Sequence, residues 1–279
     1  MLGISKYELE KLTLPLPSLA EQREIVGCLS SLDDLIEARE GQVAALKLHK
    51  RGLMQRLFPA PGETTPALRF PGFRDAPPWE VKRLGEHDVA KFIRDRIPSE
   101  KIPPGNYVST VNLLPDFGGL SPVPEVPPSN AAIAYREGDI LMSNIRPYLK
   151  KVWIADRSGG TSNDVFVVRS GRDVMHQYLG QFLMSDRFIA HVMSGAKGSK
   201  MPRGDLKQIQ DFLVPLPSLA EQREIVGCLS SLDDLIEARE GQVATLKLYK
   251  RGLMQKLFPA PGETVPRLRG AERTTEAGV

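Results

Sequence analysis

Residues 15–44, "PLPSLAEQREIVGCLSSLDDLIEAREGQVA", recur without a change at 215–244. Carried on to residue 69 against 269, the match fails at only five of fifty-five positions: Ala45/Thr245, His49/Tyr249, Arg56/Lys256, Thr65/Val265 and Ala67/Arg267. The 145 residues between, Phe70 to Val214, carry no such echo. Solenoids repeat short units continuously, so this is a different plan: one unique segment bracketed by two matching arms.

Each arm predicts a long helix. In "PSLAE", Ser18 stands at the N-cap with Glu21 three residues on, the spacing at which hydroxyl and carboxylate satisfy reciprocal backbone N–H groups. Steps of four and three then pick out Ile25, Leu29, Leu32, Ile36, Arg39, Val43, Leu46, Lys50, Leu53 and Leu57. Eight of these ten are apolar, the 3.5-residue spacing of a coiled-coil seam. "FPAPGE" supplies the stop, because proline cannot continue a helix. Residues 19–57 should form a rod of roughly 58 Å.

An apolar stripe must be buried, and its nearest equivalent is the other copy. The unique segment starts where the first rod ends and finishes where the second begins, so the rods are expected to pair antiparallel within one molecule. Arg39 and Lys50 interrupt the seam; they either set register or extend their charged heads to solvent. Gly27, Gly41 and Leu48, with Gly227, Gly241 and Leu248 in the second copy, fall on the outward face. Glycine costs roughly 1 kcal/mol in a helix interior, so this is either a tolerated cost or a surface that admits a partner helix.

The unique middle begins after "PAPGETTPALRFPGFRDAPP", a proline- and glycine-rich linker. Short β-branched runs follow: "NYVSTVNLL" (106–114), "GDILMSNI" (138–145), "KKVWIA" (150–155) and "DVFVVRS" (164–170), separated by glycine, proline and serine. Residues 175–198 then place apolar residues at helical spacing through Tyr178, Leu179, Phe182, Leu183, Phe188 and Val192. The expected fold is a mixed α/β domain plus two long α-helices pairing as an antiparallel coiled coil.

Candidate contacts for a nucleic acid lie in segments expected to be loops. "KFIRDRIPSEK" carries Lys91, Arg94, Arg96 and Lys101; "SNIRPYLKK" carries Ser143, Asn144, Arg146, Tyr148, Lys150 and Lys151; "GAKGSKMPRGD" carries Lys197, Lys200 and Arg203. Lys and Arg neutralise phosphates, while Asn and Arg can read base edges bidentately. Between Trp79 and Phe212, however, 18 basic residues face 15 acidic ones, so composition by itself favours solvated loop charges. The whole chain has a formal charge of +3 over 279 residues, which permits nucleic-acid binding without arguing for it.

Several classes are disfavoured. No apolar stretch approaches the ~20 residues of a membrane span, and "MLGISKYELE" has no secretory h-region; a cytoplasmic protein without membrane partners is expected. Cys28 and Cys228 occupy equivalent helical positions with no paired histidines nearby, and read as packing residues. Phosphate-loop, dinucleotide, H-E-x-x-H and G-x-S-x-G motifs are missing, and His87, His176 and His191 are scattered. No catalytic residue, metal or cofactor is expected. A self-contained nuclease is the weakest reading.

The arm "PLPSLAEQREIVGCLSSLDDLIEA" leading into "KRGLMQ-x-LF" resembles the conserved region of type I restriction-modification specificity subunits. "PWEVKRLGE" is similar to the opening of their target recognition domains. "GDILMSNIRPYLKKVWIA", "SNDVFVV" and "GSKMPRGDLKQIQDFLVPLP" resemble such a domain's middle and end. The resemblance implies a remnant of a preceding recognition domain at 1–14, conserved helical regions at 15–60 and 215–260, a linker at 61–78, a target recognition domain at 79–214 and a flexible tail at 261–279. Leu9, Leu12 and Leu14 parallel Ile209, Phe212 and Val214 in the remnant. A natural short form, a permuted gene and a truncation all fit this order.

What the resemblance implies for function is a non-catalytic subunit whose recognition domain reads one half of a bipartite site in double-stranded DNA. Its helices would dock methyltransferase (modification) subunits, and through them, indirectly, the restriction subunit. One half-site per chain is compatible with a homodimer, and internal pairing of the arms with a monomer. From another class, a coiled-coil adaptor whose α/β domain binds protein, or blocks an assembly, fits the same residues.

Overall fold

The computed structural model describes residues 5–10, 16–121, 130–196, 198, 202–260, 263 and 265–268. The chain divides into two compact units, 1–48 with 233–279, and 49–232. A short helix α1 (Lys6–Glu10) precedes the first arm helix α2 (Leu19–Leu57), and α6 (Leu219–Leu257) is the second arm helix. Both long helices keep the bounds read from the sequence. Ser18 and Ser218 cap them, each hydroxyl accepting from the backbone N–H three residues on at 3.3 Å.

All ten seam positions of α2 are buried or half-buried, whereas Gly27, Gly41 and Leu48 are exposed. In the first unit Ile25 packs with Leu253, Leu257 and Leu268, joined by Cys28, Leu29 and Leu32. Three ion pairs join α2 residues to α6 residues there: Lys47–Glu240 at 2.7 Å, Glu40–Lys247 at 2.6 Å, and Asp33–Lys250. The Arg39 guanidinium turns along its own helix to Gln42 Oε1 at 3.0 Å, and Arg239 does the same to Gln242, so both charged heads stay at the surface. Cys28 and Cys228 are free thiols.

The second unit is a mixed α/β domain. Its strands are β1 (Glu80–Arg83), β2 (Ala90–Ile93), β3 (Arg96–Pro98), β4 (Tyr107–Val108), β5 (Ala131–Tyr135), β6 (Ile140–Ser143), β7 (Val152–Ile154), β8 (Gly159–Thr161) and β9 (Val165–Ser170). Helices α3 (His176–Leu183), α4 (Asp186–Ser194) and α5 (Leu206–Gln210) follow, then β10 (Leu213–Leu216). One four-stranded sheet has the order β2-β9-β6-β7 and a second β3-β5-β8-β4; β1 and β10 form an antiparallel pair. Helix α1 lies 200 residues before α5, so this local structure is duplicated even where the sequence has diverged.

The central sheet is covered on both faces, which is why its strands read as unbroken apolar runs. Successive side chains alternate. Ile140, Met142, Val152, Phe166 and Val168 enter the core shared with α3 and α4, while Leu141, Trp153, Val165 and Val167 enter a second core with Val108, Leu113 and Tyr135. Gly180 allows α3 to lie on β7, since a Cβ there would stand 2.4 Å from Ile154 Cδ1. The aromatic centre of the main core is Tyr178 and Phe182, against which Phe58 packs at 5.7 and 5.1 Å between centroids. Tyr178 is fully buried and donates to the Pro215 carbonyl at 2.7 Å; burial raises its pKa well above the usual tyrosine value.

Two sequence expectations need correction. "NYVSTVNLL" holds only a two-residue strand, because Ser109 N–H and Oγ both donate to Asn112 Oδ1, at 2.8 and 3.0 Å, and turn the chain. The helical stretch from 175 is two helices, split where Ser185 caps α4 by accepting from Phe188 N–H.

A buried polar node fixes the first turn of α6 to the α/β domain. Glu221 accepts from Arg69 Nε at 2.7 Å and Nη2 at 2.9 Å, and from Trp79 Nε1 at 3.1 Å. That carboxylate raises the Arg69 pKa. Beside it, Gln222 Oε1 accepts from Met175 N–H at 2.8 Å, and its amide donates to the Asp173 and Pro217 carbonyls. The residues called a linker from composition are therefore tied down along part of their length: Arg69 also donates to Ala76 and Pro77, and Leu68 N–H to Arg56 O at 2.8 Å.

Candidate nucleic-acid interface

The loop from β6 to β7 carries the densest set of candidates. Ser143 is buried and spends its hydroxyl on the Ile145 carbonyl at 2.8 Å, so its role is to shape the loop. Asn144 is held through its backbone, donating to Asp164 O at 2.8 Å and accepting from Gly204 N–H at 3.0 Å. Ile145 bridges Arg203 and Arg146 N–H donates to Pro202 O at 2.8 Å, which draws Arg203 into the same neighbourhood. Lys197 and Lys200 lie outside the described residues.

This loop is conformationally costly. Arg146 (φ 50°) and Lys150 (φ 52°) flank the turn Pro147–Leu149 in left-handed backbone, and Asp116 (φ 52°) and Phe117 (φ 61°) do the same in a second turn. These are the non-glycine residues of positive φ among the described residues. Each such residue costs on the order of 1–3 kcal/mol and persists where surrounding structure over-determines it. Here the two turns determine each other: Asp116 N–H donates to Leu149 O and Phe117 N–H to Lys150 O, both at 2.9 Å.

The charges on this surface differ in their partners. Lys150 pairs with Asp186 at 2.7 Å, which Arg51 also approaches at 3.4 Å; Arg203 pairs with Asp164 at 2.7 Å. Arg146 is exposed and pairs with no carboxylate among the described residues. Among the described residues Lys151 reaches only a neutral acceptor, the Thr110 carbonyl, at 2.6 Å. Burial first, and the Arg146 charge second, hold its pKa below the usual lysine value. Tyr148 is 49% exposed.

The 91–101 candidates occupy a different place from the one expected. Lys91 lies in β2 opposite Arg169, and Arg96 in β3 opposite Ile133, because this stretch alternates as strand where its charges suggested loop. Arg94 is in the turn between them and Lys101 closes a 3₁₀ turn; all four are exposed. Residues the sequence did not nominate are Thr110, Val111, Asp116 and Phe117, although Asp-Phe-Gly-Gly at 116–119 is a turn signal. Val111 is 73% exposed.

On the arm helices a Cβ built at Gly27, Gly41, Gly227 or Gly241 would meet nothing within 4 Å, and Leu48 and Leu248 are each 66% exposed. Among the described residues no three His, Cys, Asp or Glu gather as a metal site would require, and no helix is long and apolar enough to cross a membrane.

Residues 1–48 and 77–248 match the family model described as the type I restriction modification DNA specificity domain. The chain belongs to that family. It is 27% identical over 261 residues to the putative type I restriction enzyme MjaX specificity subunit of Methanocaldococcus jannaschii, covering 92% of this chain and 60% of that protein. It is 25% identical over 279 residues to the type I restriction enzyme EcoDI specificity subunit of Escherichia coli, covering 91% and 62%. The chain thus spans about three-fifths of these curated relatives. In fold it is similar to the type I restriction-modification S subunit from M. genitalium, with a TM-score of 0.57 at 16% identity over 88% of this chain and 62% of that one. It is also similar to the HsdS subunit from Thermoanaerobacter tengcongensis, with a TM-score of 0.51 at 21% identity over 92% and 63%.

Proposed function

We propose that the chain acts as a non-catalytic, sequence-specific DNA-binding specificity subunit of a type I restriction-modification complex in the cytoplasm. The family match over residues 1–48 and 77–248 carries this reading. Its α/β recognition domain, 79–214, reads one half of a bipartite site in double-stranded DNA. Lys91, Arg94, Arg96, Lys101, Ser143, Asn144, Arg146, Tyr148, Lys150, Lys151, Lys197, Lys200 and Arg203 are the set from which its contacts come. Ser143, Lys150 and Arg203 shape that surface through their bonds to Ile145, Asp186 and Asp164, and the exposed cations make the contacts.

The conserved helical regions, 15–60 and 215–260, pair as an antiparallel coiled coil. Supporting this, Glu40 meets Lys247 while Lys47 meets Glu240, so residue numbers rise along one helix as they fall along the other. Each 39-residue helix is roughly 58 Å long, more than one ~34 Å turn of DNA, which suits a ruler between two half-site readers. The outward face of Gly27, Gly41, Leu48, Gly227, Gly241 and Leu248 docks methyltransferase subunits, with the restriction subunit joining indirectly. Residues 1–14 correspond to the end of a preceding recognition domain, 61–78 to the linker and 261–279 to the tail; a homodimer supplies the second half-site.

Selection from a random duplex pool, with the chain and its modification subunit together, tests the reading. Enrichment of a short interrupted motif is the expected outcome, and a pool that stays random rejects it.

A further inference from the structure

Two successive turns at 109–118 are tied to the turn at 146–151, about 30 residues on, in one surface. The turn at 115–118 donates to the carbonyls of Leu149 and Lys150, and Lys151 Nζ reaches back to Thr110 O in the loop that Ser109 and Asn112 close. Arg146 and Lys151 flank one hydrogen-bonded turn, in which Leu149 N–H donates to Arg146 O at 2.9 Å and Ser143 N–H to Lys151 O at 3.0 Å, and the Arg146 charge acts on the Lys151 ammonium. Neighbouring cations of the same surface have carboxylates: Lys150 has Asp186 and Arg203 has Asp164. Among the described residues Arg146 and Lys151 have none. Holding like charges together without a counter-charge costs electrostatic free energy, and the left-handed backbone of Arg146 adds a conformational cost at the same turn.

We infer that Arg146 and Lys151 together clasp one phosphodiester of the DNA backbone. This rests on the proposed reading of the chain as a DNA specificity subunit. The guanidinium is exposed and presents a planar fork that fits two phosphate oxygens. The ammonium has donors left after its bond to Thr110, and its half-buried stem fixes where they point. An anion between the two replaces repulsion by two attractions. Because phosphate contacts set register without reading sequence, the clasp positions the loop tips beside it, including Val111, against the base edges.

Binding of the full chain to a mixed-sequence duplex of about three helical turns, titrated from roughly 50 to 200 mM salt, tests the clasp. Arg146→Gly suits the left-handed backbone and removes the guanidinium; Lys151→Met keeps the buried stem and removes the charge. Each variant is expected to reduce the slope of log affinity against log salt by about 0.9 and to weaken binding about fivefold, with melting curves matching the parent. Arg146→Lys retains the parental slope. Salt-dependent binding by the parent with unchanged slopes in both variants overturns the clasp alone. A parent chain that shows no salt-dependent binding to any duplex overturns the DNA reading, and the clasp with it.

Discussion

Phe58 and Phe258 follow helices that differ at three of 39 positions and open the identical heptapeptide "FPAPGET", yet one is 6% exposed and the other 46%. Around them the local structure is the same. Glu63 N–H donates to Ala60 O and Glu263 N–H to Ala260 O, both at 2.9 Å; Leu68 N–H donates to Arg56 O and Leu268 N–H to Lys256 O, at 2.8 and 3.1 Å. Helix start, helix stop and the turn-back after it are thus properties of the segment itself. Burial is not. Phe58 enters the aromatic core of Tyr178 and Phe182, and at the other end of the repeat Glu221 and Gln222 are buried polar anchors where Glu21 and Gln22 are only half-buried. The repeat separates what sequence dictates locally from what neighbours add.

The sharpest test of that separation is at the phenylalanines. Phe58→Ala should destabilise the 49–232 unit by about 3–5 kcal/mol, the cost of emptying an aromatic core position. Phe258→Ala should cost under about 1 kcal/mol, as for a half-exposed side chain. Both tryptophans, Trp79 and Trp153, lie in 49–232, so urea unfolding followed by tryptophan fluorescence reports on that unit, and far-ultraviolet circular dichroism of the long helices reports on the unit that holds Phe258. A matching midpoint shift in the two variants would break the comparison.

The buried carboxylate comes next. Glu221→Ala leaves the shielded Arg69 guanidinium without its counter-charge and Trp79 Nε1 without its acceptor, and should cost about 3 kcal/mol. Glu21→Ala, at the same place in the repeat but in the other unit, should cost less than half of that, followed by far-ultraviolet circular dichroism of the long helices. Gln222→Ala follows at about 1–3 kcal/mol, because it strands the Met175 N–H and two carbonyls in a buried site. Gln22→Ala loses the one bond to Pro17 O at 2.8 Å, and should stay within about 1 kcal/mol.

The same distinction explains which parts of the molecule could be read in advance. The long helices were legible because cap, seam and stop all lie within one contiguous segment. Strands β6, β7 and β9 were legible as apolar runs, because both faces of their sheet are covered. β2 and β3 were not, since Lys91, Arg94 and Arg96 gave their segment the composition of a loop while the pairing partners lie at 131–135 and 165–170. In the candidate interface the basic turn at 143–151 could be picked out from its residue types. Its division into Ser143, Lys150 and Arg203 as supports and Arg146 and Lys151 as uncompensated cations could not. That depends on Asp164, Asp186 and Thr110, whose positions only tertiary structure supplies.

Where the two copies have equivalent surroundings, equal substitutions should have equal effects, which tests the comparison from its other side. Lys47 meets Glu240 at 2.7 Å and Lys247 meets Glu40 at 2.6 Å, all four side chains about half-exposed. Exposed pairs of this kind contribute about 0.2–1 kcal/mol and are screened by salt. Lys47→Glu and Lys247→Glu should therefore lower helix melting, followed by far-ultraviolet circular dichroism, by the same small amount at low salt, and by almost nothing near ~1 M salt. Combining Lys47→Glu with Glu240→Lys should restore the parent curve, because the pair is rebuilt with its charges exchanged. Unequal losses at the two lysines would mean that the asymmetry seen at Phe58 and Glu221 extends into the middle of the helices.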